Sequence, residues 1–419
     1  MRRYSTRGCA SAAAIGMAVL AATPLSSPAG AQQFDSTAPR QASRLLQPSQ
    51  YQSAIHKVDE QVPILAHTYV FTLQTDWGPM KAYGYDALVL RLRELHAIQS
   101  LEHTSKTEAY GKALGKAATA PIRAVENLAA DPRGTISGIP RGIGTMFSRI
   151  GDSLGGAGKG DDGAIATVTG SAAKKRAIAI RYNVSPYSTN KVLQDKIAEL
   201  ARAEALGGLT MSAASIAMPG GIGMVFSTTR TSQSLRSLLS DRTPAELREI
   251  NYEALRRLGV PVEDTRAFLA NAAYNPGMQT ILVHSLAALG GARQLESFVR
   301  LANAADDPDE AFLHQRIAQM MAGYVAEGNQ IDNVGVIHGL PVALSTGRDA
   351  LVFVPVDELL WTAVSAQTTA QFEQIVNPLQ PRRKELFIAG WASQAMKREL
   401  AARGWTLHEN TRGRLYDIM

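Results

Sequence analysis

The stretch NVGVIHGLPVALSTGRDALVFVPV, Asn333–Val356, decides the class of fold. Apolar runs of strand length, rich in Val and Leu, alternate in it with glycine-containing turns, a pattern typical of neighbouring strands. The chain continues with a helical pattern (DELLWTAVSAQTTAQFEQIV), a strand pattern (RKELFIAGWAS), a second helix (QAMKRELAARG) and a last strand (WTLHEN). This order predicts a small α/β domain over residues 330–419.

The region before it, residues 164–329, carries helical signals. In RTPAELREINYEALRRLGV, Thr243 is placed to cap a helix, Pro244 to occupy its first turn and Gly259 to end it. The segment DDPDEAFLHQRIAQMMAGYVAEG repeats the pattern, with acidic residues and Pro308 at the start and glycine at the end. We therefore predict a central helical bundle.

Residues 51–163 predict a hairpin followed by a helix. YVFTLQT (Tyr69–Thr75) and MKAYGY (Met80–Tyr85) flank DWGP, which has the residues of a hairpin turn. Leucines at spacings of three and four residues follow and indicate an amphipathic helix. The region ends in the glycine-rich linker GGAGKGDDG, and the polar residues 32–50 predict a flexible lead. The expected fold is thus α+β, multi-domain and mainly helical.

Residues 1–31 predict a cleavable signal peptide. They hold Arg2, Arg3 and Arg7, then a short apolar stretch, then an A-x-A cleavage site that ends at Ala31. Its removal leaves 40 Lys and Arg residues against 37 acidic ones, so the formal charge falls from +6 to +3. A charge that small favours no nucleic-acid partner. The one cysteine, Cys9, lies inside the signal, so we expect no disulfide partner.

One nine-residue pattern occurs twice, as PRGIGTMFS (140–148) and PGGIGMVFS (219–227). Glycines of this kind most often serve close packing or turns. The alternative is contact with a membrane or partner, through Phe147 and Phe226, with Arg141 and Arg149 meeting anionic head groups. The second copy lies in a run without formal charge, residues 205–229, which a fully buried helix would also show.

Three sets of residues are candidates for catalysis. Ser188 and Lys191 form an S-x-x-K pair, in which the lysine would take the hydroxyl proton if both lay on one helix turn. Ser393 stands between a strand and a helix, where an N-cap is the alternative. Asp357 and Glu358 follow the strand LVFVPV, at the end where α/β units place functional groups; acids that begin a helix give the same pattern.

No metal or cofactor is predicted, because the eight histidines are scattered and neither a zinc, a calcium nor a phosphate-binding motif occurs. We expect an exported, envelope-associated (periplasmic) binding or scaffold protein without catalytic activity, and peripheral membrane association as one form of this. Its partner would be an envelope protein or a lipid surface. The alternative is an extracytoplasmic hydrolase whose serine or carboxylate site is assembled in the fold.

Overall fold

Helices and strands both contribute substantially to the fold, which a computed structural model describes for residues 34–105, 170–205 and 230–418. Within these ranges the chain forms thirteen α-helices and thirteen β-strands, which confirms the mixed α+β class. The helices are α1 (Ala42–Leu45), α2 (Pro48–Tyr51), α3 (Tyr85–Ser105), α4 (Gly170–Arg181), α5 (Lys191–Ala205), α6 (Arg230–Asp241), α7 (Pro244–Arg257), α8 (Val262–Ala270), α9 (Pro276–Ala287), α10 (Leu295–Asn303), α11 (Pro308–Ala326), α12 (Ala363–Val376) and α13 (Gln394–Ala402). The strands are β1 (Arg40–Gln41), β2 (His56–Val58), β3 (Gln61–Val62), β4 (Ile64–Leu65), β5 (Thr68–Thr75), β6 (Met80–Tyr83), β7 (Ile331–Ile337), β8 (Leu340–Ser345), β9 (Ala350–Val354), β10 (Glu358–Leu359), β11 (Lys384–Ile388), β12 (Trp391–Ala392) and β13 (Trp405–His408).

Helix ends follow local capping chemistry. Thr243 caps α7: its hydroxyl accepts from the Glu246 N–H at 3.2 Å, and the Glu246 carboxylate accepts from the Thr243 N–H at 2.7 Å. Asp307 caps α11 by accepting two backbone N–H groups. Gly259 follows α7 with φ +82°, a conformation that glycine adopts without strain. These ends lie where the sequence predicts them.

Five strands form the C-terminal sheet in the order β13-β11-β9-β8-β7. β9, β11 and β13 run parallel, and β7, β8 and β9 pair antiparallel. Helix α12 connects β9 to β11, and helix α13 connects β11 to β13. Since such crossovers are right-handed and the strand order advances in one direction, both helices lie on the same face of the sheet.

The opposite face of this sheet packs on α11. Phe353 of β9 stacks on Phe387 of β11 with centroids 4.9 Å apart, and Phe387 stacks on His408 of β13 at 4.2 Å. Tyr324 of α11 meets Phe387 edge-on at 5.4 Å. The sheet therefore lies between two layers of helix.

The N-terminal hairpin forms as the sequence predicts, with β5 antiparallel to β6 and Phe71 opposite Ala82. Strands β2 and β4 add to β5, and α3 packs on the hairpin. The lead before it differs from the expectation of a flexible segment over residues 32–50. From residue 40 onward it forms β1, α1 and α2, and it buries Ala42 and Leu46.

One hydrophobic core joins the later helices to the C-terminal sheet. It extends from Leu255 of α7 to Tyr416, and includes Phe298 of α10, Met320 of α11 and Val352 of β9. The residues that the structure describes belong to one compact unit. The predicted separation of a helical bundle from an α/β domain at residues 329 and 330 is therefore not confirmed.

Gly323 of α11 provides a test of how the C-terminal tail packs. A Cβ atom added there would lie 1.7 Å from the Leu415 carbonyl oxygen. Gly323→Ala should therefore lower the free energy of unfolding by about 2 kcal/mol, whereas helix propensity alone would raise it by up to about 1 kcal/mol. Urea unfolding measures this, with Gly335→Ala as the matched control, since a Cβ at Gly335 meets nothing within 4 Å. Equal stabilities of the two variants would contradict the packing.

Candidate functional site at the carboxyl edge of the sheet

Three of the predicted site residues meet at one edge of the C-terminal sheet. Asp357 and Glu358 follow β9, and Ser393 follows β12 after β11 has ended. β10 and β12 pair in parallel, with Glu358 opposite Trp391, and the Ser393 N–H donates to the Leu359 carbonyl at 3.0 Å. The carboxyl ends of parallel strands are where open α/β sheets bind ligands. The sequence placed the two acids after one strand and Ser393 after the next, but it did not show that β9 and β11 are neighbours in the sheet.

Asp357 is buried and fully engaged by its own chain. Its carboxylate accepts from the Tyr69 N–H at 2.9 Å, from the Tyr85 N–H at 3.1 Å and from the Arg412 guanidinium. Burial raises the pKa of the Asp357 carboxyl, and Arg412 opposes that rise. Gly390 passes so close that a Cβ there would lie 1.9 Å from the Asp357 carbonyl oxygen.

Arg412 joins Asp357 to a second buried acid, Asp86 at the start of α3. Its Nε donates to Asp86 at 2.6 Å, the Tyr416 hydroxyl donates to the same carboxylate at 2.8 Å, and Arg316 Nε lies 3.2 Å from it. Burial alone would raise the pKa of Asp86, but Arg412 and Arg316 together hold it below its ordinary value. We call Asp86, Asp357, Arg412, Arg316 and Tyr416 the buried ion cluster.

Glu358 is held by the N-terminal segment. Arg40 donates to its carboxylate through Nη2 at 2.8 Å and Nε at 3.0 Å, a bidentate pair, and the Tyr69 hydroxyl donates at 2.8 Å. Burial and the neighbouring Glu358 raise the pKa of Tyr69 well above its ordinary value. Glu358 therefore fixes residues 34–41 and strand β5 at the edge.

Ser393 is the N-cap of α13, the alternative that the sequence favours. Its hydroxyl accepts from the Met396 N–H at 3.0 Å and donates to the Asp35 carboxylate. Asp35 also accepts from the Trp361 N–H at 2.6 Å. The serine and this acid thus join the N-terminal segment to α13 and to the start of α12.

Ser188 and Lys191 do not form the catalytic pair that their spacing suggests. Helix α5 begins at Lys191, so Ser188 lies outside it. The Ser188 hydroxyl donates to Glu94 at 2.5 Å and accepts from the Asn190 N–H at 3.0 Å. Lys191 is exposed and pairs with Asp195 at 2.7 Å. The two residues therefore do not share the helix turn on which the predicted proton transfer depended.

His67 belongs to this edge, and sequence reasoning missed it. It follows β4 with φ +68°, and its carbonyl accepts from the N–H groups of Asp357 and Glu358 at 3.1 and 3.0 Å. Its Nδ1 accepts from the Leu360 N–H at 3.1 Å. Burial lowers the pKa of His67 to about 4, so the ring is neutral at pH 7. Arg40, Asp35 and Arg412 were missed as well, because no motif surrounds any of them.

The partner-contact candidates of the repeated motif, Phe147, Phe226, Arg141 and Arg149, lie outside the described residues, as does the predicted signal peptide. Among residues 34–105, 170–205 and 230–418, no group of three His, Cys, Asp or Glu side chains is placed to hold a metal ion. Within the same ranges no helix combines the length and the apolar character that a membrane crossing needs.

Comparison with known proteins found no match to a family model, to a curated protein or to a solved structure.

Removal of Arg412, the central cation of the buried ion cluster, should lower the free energy of unfolding substantially. Arg412→Met leaves Asp86 and Asp357 buried with too little compensating charge, and should lower the free energy of unfolding by about 3 to 5 kcal/mol. The matched control is Lys191→Met, which removes one partner of an exposed pair and should change stability by about 0.5 kcal/mol or less. Urea unfolding at pH 7 compares them. A loss from Arg412→Met as small as the control's would show that the cluster does not hold the edge together.

Because the pKa of His67 is lowered in the folded protein, its contribution to stability should fall as the pH falls. An unfolded histidine takes up a proton near pH 6.5, but folded His67 resists it until about pH 4. Its contribution to stability is therefore complete above pH 6.5 and is lost as the pH falls toward 4, by about 2 to 3 kcal/mol. His67→Asn keeps a residue that tolerates positive φ and removes the titration.

The measurement is the free energy of unfolding of wild type minus that of His67→Asn, between pH 4 and 7. Other titrating groups occur in both proteins and cancel in this difference, including Asp309, whose pKa burial raises to about 6. The difference should shrink as the pH falls. A constant difference would contradict the assigned state of His67.

Proposed function

We propose that this protein is an exported, envelope-associated binding protein without catalytic activity. The observation that supports this most is the state of the candidate catalytic groups at the carboxyl edge. Asp357, Glu358 and Ser393 are all engaged by backbone or side-chain groups of the same chain. A reacting carboxylate or hydroxyl must instead be available to a substrate atom. These groups hold the N-terminal segment, the hairpin and the tail on the sheet.

Export is supported by the sequence of residues 1–31, in which arginines precede a short apolar stretch and an A-x-A site. The mature chain would begin at Gln32. Its formal charge of +3 favours a neutral or mildly acidic partner over nucleic acid.

The edge also favours the second candidate, an extracytoplasmic hydrolase, because it brings Ser393 together with two carboxylates. One experiment separates the two. The protein is expressed with its signal, recovered from the periplasmic fraction, sequenced from its N-terminus and exposed to a fluorophosphonate that labels activated serines. We expect a chain that starts at Gln32 and carries no label, since the Ser393 hydroxyl already binds Asp35 and caps α13.

The control is Ser393→Ala treated in the same way. Labelling of the wild type that disappears in Ser393→Ala would establish the hydrolase and refute the binding protein. A full-length chain that keeps residues 1–31 in the cytoplasm would refute export independently of catalysis.

A further inference from the structure

A cavity lies between the C-terminal sheet and the two helices on its outer face. Its volume is about 80 Å³. The sheet contributes Val352, Val354 and Leu386, and the helices contribute side chains of both α12 and α13. The full lining is His67, Leu340, Val352, Val354, Leu359, Ser365, Thr368, Thr369, Phe372, Leu386, Met396, Leu400 and Trp405. The cavity thus extends inward from the carboxyl edge, beneath α12.

The lining presents almost only apolar surface. No charged side chain belongs to it. Two hydroxyls of the lining donate to backbone carbonyls, Ser365 to Leu360 and Thr369 to Ser365, both at 2.8 Å, and the Trp405 Nε1–H donates to Glu373 at 2.9 Å. His67 is neutral and accepts from the Leu360 N–H. An apolar space of this kind excludes water and favours a hydrocarbon group.

The size of the space limits that group. An apolar cavity of about 150 Å³ holds benzene, so about 80 Å³ accommodates roughly three to four carbon atoms. The cavity can therefore enclose only the end of a longer chain, and the remainder would lie outside it.

Helix α12 offers a surface for that remainder. Val364, Thr368, Gln371 and Ile375 follow one another at spacings of four, three and four residues, so they form one stripe along the helix. Thr368 belongs to both the stripe and the cavity lining. Val364 and Ile375 are 58% and 37% exposed, although they are large and apolar. The stripe is uncharged and is roughly 16 Å long.

Cationic side chains lie beyond the C-terminal end of α12. Leu379, itself 46% exposed, follows the helix, and its carbonyl accepts from Arg348 Nη2 at 3.3 Å. Among the described residues, Arg348 has no carboxylate as an ion-pair partner. Arg382 and Arg383 stand beside it, since the Arg382 N–H donates to the Arg348 carbonyl.

These arginines keep a net positive charge. Asp349 pairs with Arg382 at 2.9 Å and with Arg383 at 3.2 Å, and Glu385 pairs with Arg383 at 3.3 Å. Three cations thus face two carboxylates. A cationic patch at the end of an uncharged stripe is complementary to a molecule with an anionic head and an aliphatic chain.

We propose that the cavity and the α12 stripe bind one anionic amphiphile, a fatty acid or a lipid of that type, with the end of its chain in the cavity and its head group at Arg348. The site deepens the proposed binding function and rests on it. Small voids also occur in proteins as packing defects. This void adjoins an uncharged stripe with two exposed apolar side chains, Val364 and Ile375, and a cationic patch, which a packing defect does not require.

The test is titration calorimetry of the mature protein with dodecanoate, below the concentration at which it forms micelles. We expect saturable binding of one molecule per chain. Thr368→Leu fills the cavity from its rim and should weaken dodecanoate binding about tenfold, the effect of losing contact for roughly two methylene groups. Gln367→Leu is the matched control: it adds the same side chain to the exposed face of α12 without lining the cavity, and should bind as wild type does.

The head group is tested separately. Arg348→Gln should weaken dodecanoate but leave dodecanol unchanged, because only the carboxylate meets the arginine. Thermal unfolding of every variant confirms folding, and Thr369→Leu replaces Thr368→Leu if the latter is less stable than wild type. Absence of saturable binding, or equal binding by Thr368→Leu and Gln367→Leu, would overturn the site.

Vesicles containing phosphatidylglycerol distinguish a single amphiphile from a bilayer surface. Because the chain end of the lipid would enter the cavity, we expect Thr368→Leu to lower the amount of protein that sediments with these vesicles. Sedimentation without any binding of dodecanoate, and unchanged in Thr368→Leu, would overturn the proposed site while leaving a membrane-associated binding protein. Serine labelling tests the proposed binding function and does not depend on dodecanoate binding, so failure of the proposed function and failure of this site are distinguishable.

Discussion

The guanidinium of Arg412, placed between the carboxylates of Asp86 and Asp357, is the interaction on which the rest of the structure depends. Asp86 begins α3, Asp357 follows β9, and Arg412 belongs to the C-terminal tail. In a buried site, each of these charges is costly unless the others are in place. The N-terminal hairpin, the sheet and the tail are therefore held in one arrangement. The close passage of Gly390 over the Asp357 backbone shows how little space that arrangement leaves.

The same constraint bears on function. Open α/β sheets usually bind ligands outside the carboxyl ends of their strands. Here residues 34–41 and the turn at His67 occupy that edge, and Glu358, Ser393 and Asp357 anchor them. Polar groups that are already satisfied by the chain have little to offer a polar substrate. The cavity beneath α12 is apolar instead, and α12 makes few close backbone approaches to the sheet.

Local patterns predicted the elements well. The capping box at Thr243, the cap at Asp307 and the hairpin around residues 76–79 each depend on groups a few residues apart. Ser393 followed the same logic as an N-cap. The S-x-x-K pair does not share a helix turn, because α5 begins at Lys191 and Asn190 accepts from the Leu193 N–H just before that start. The spacing of two residues along the chain predicts their contact only when the helix or strand that contains both is known.

The sequence by itself determined the mixed class of the fold, the ends of several helices, the alternation of strand and helix after residue 330, and the position of two acids after β9. Each of these depends on periodicity or on hydrogen bonds between near neighbours. Only the tertiary structure decided what those acids do. Their partners, Arg40, Tyr69, Tyr85 and Arg412, lie 55 to 318 residues away along the chain. Burial then decided the charge state of His67. Desolvation depends on atoms that only the packed fold brings together, so no local sequence pattern indicates it.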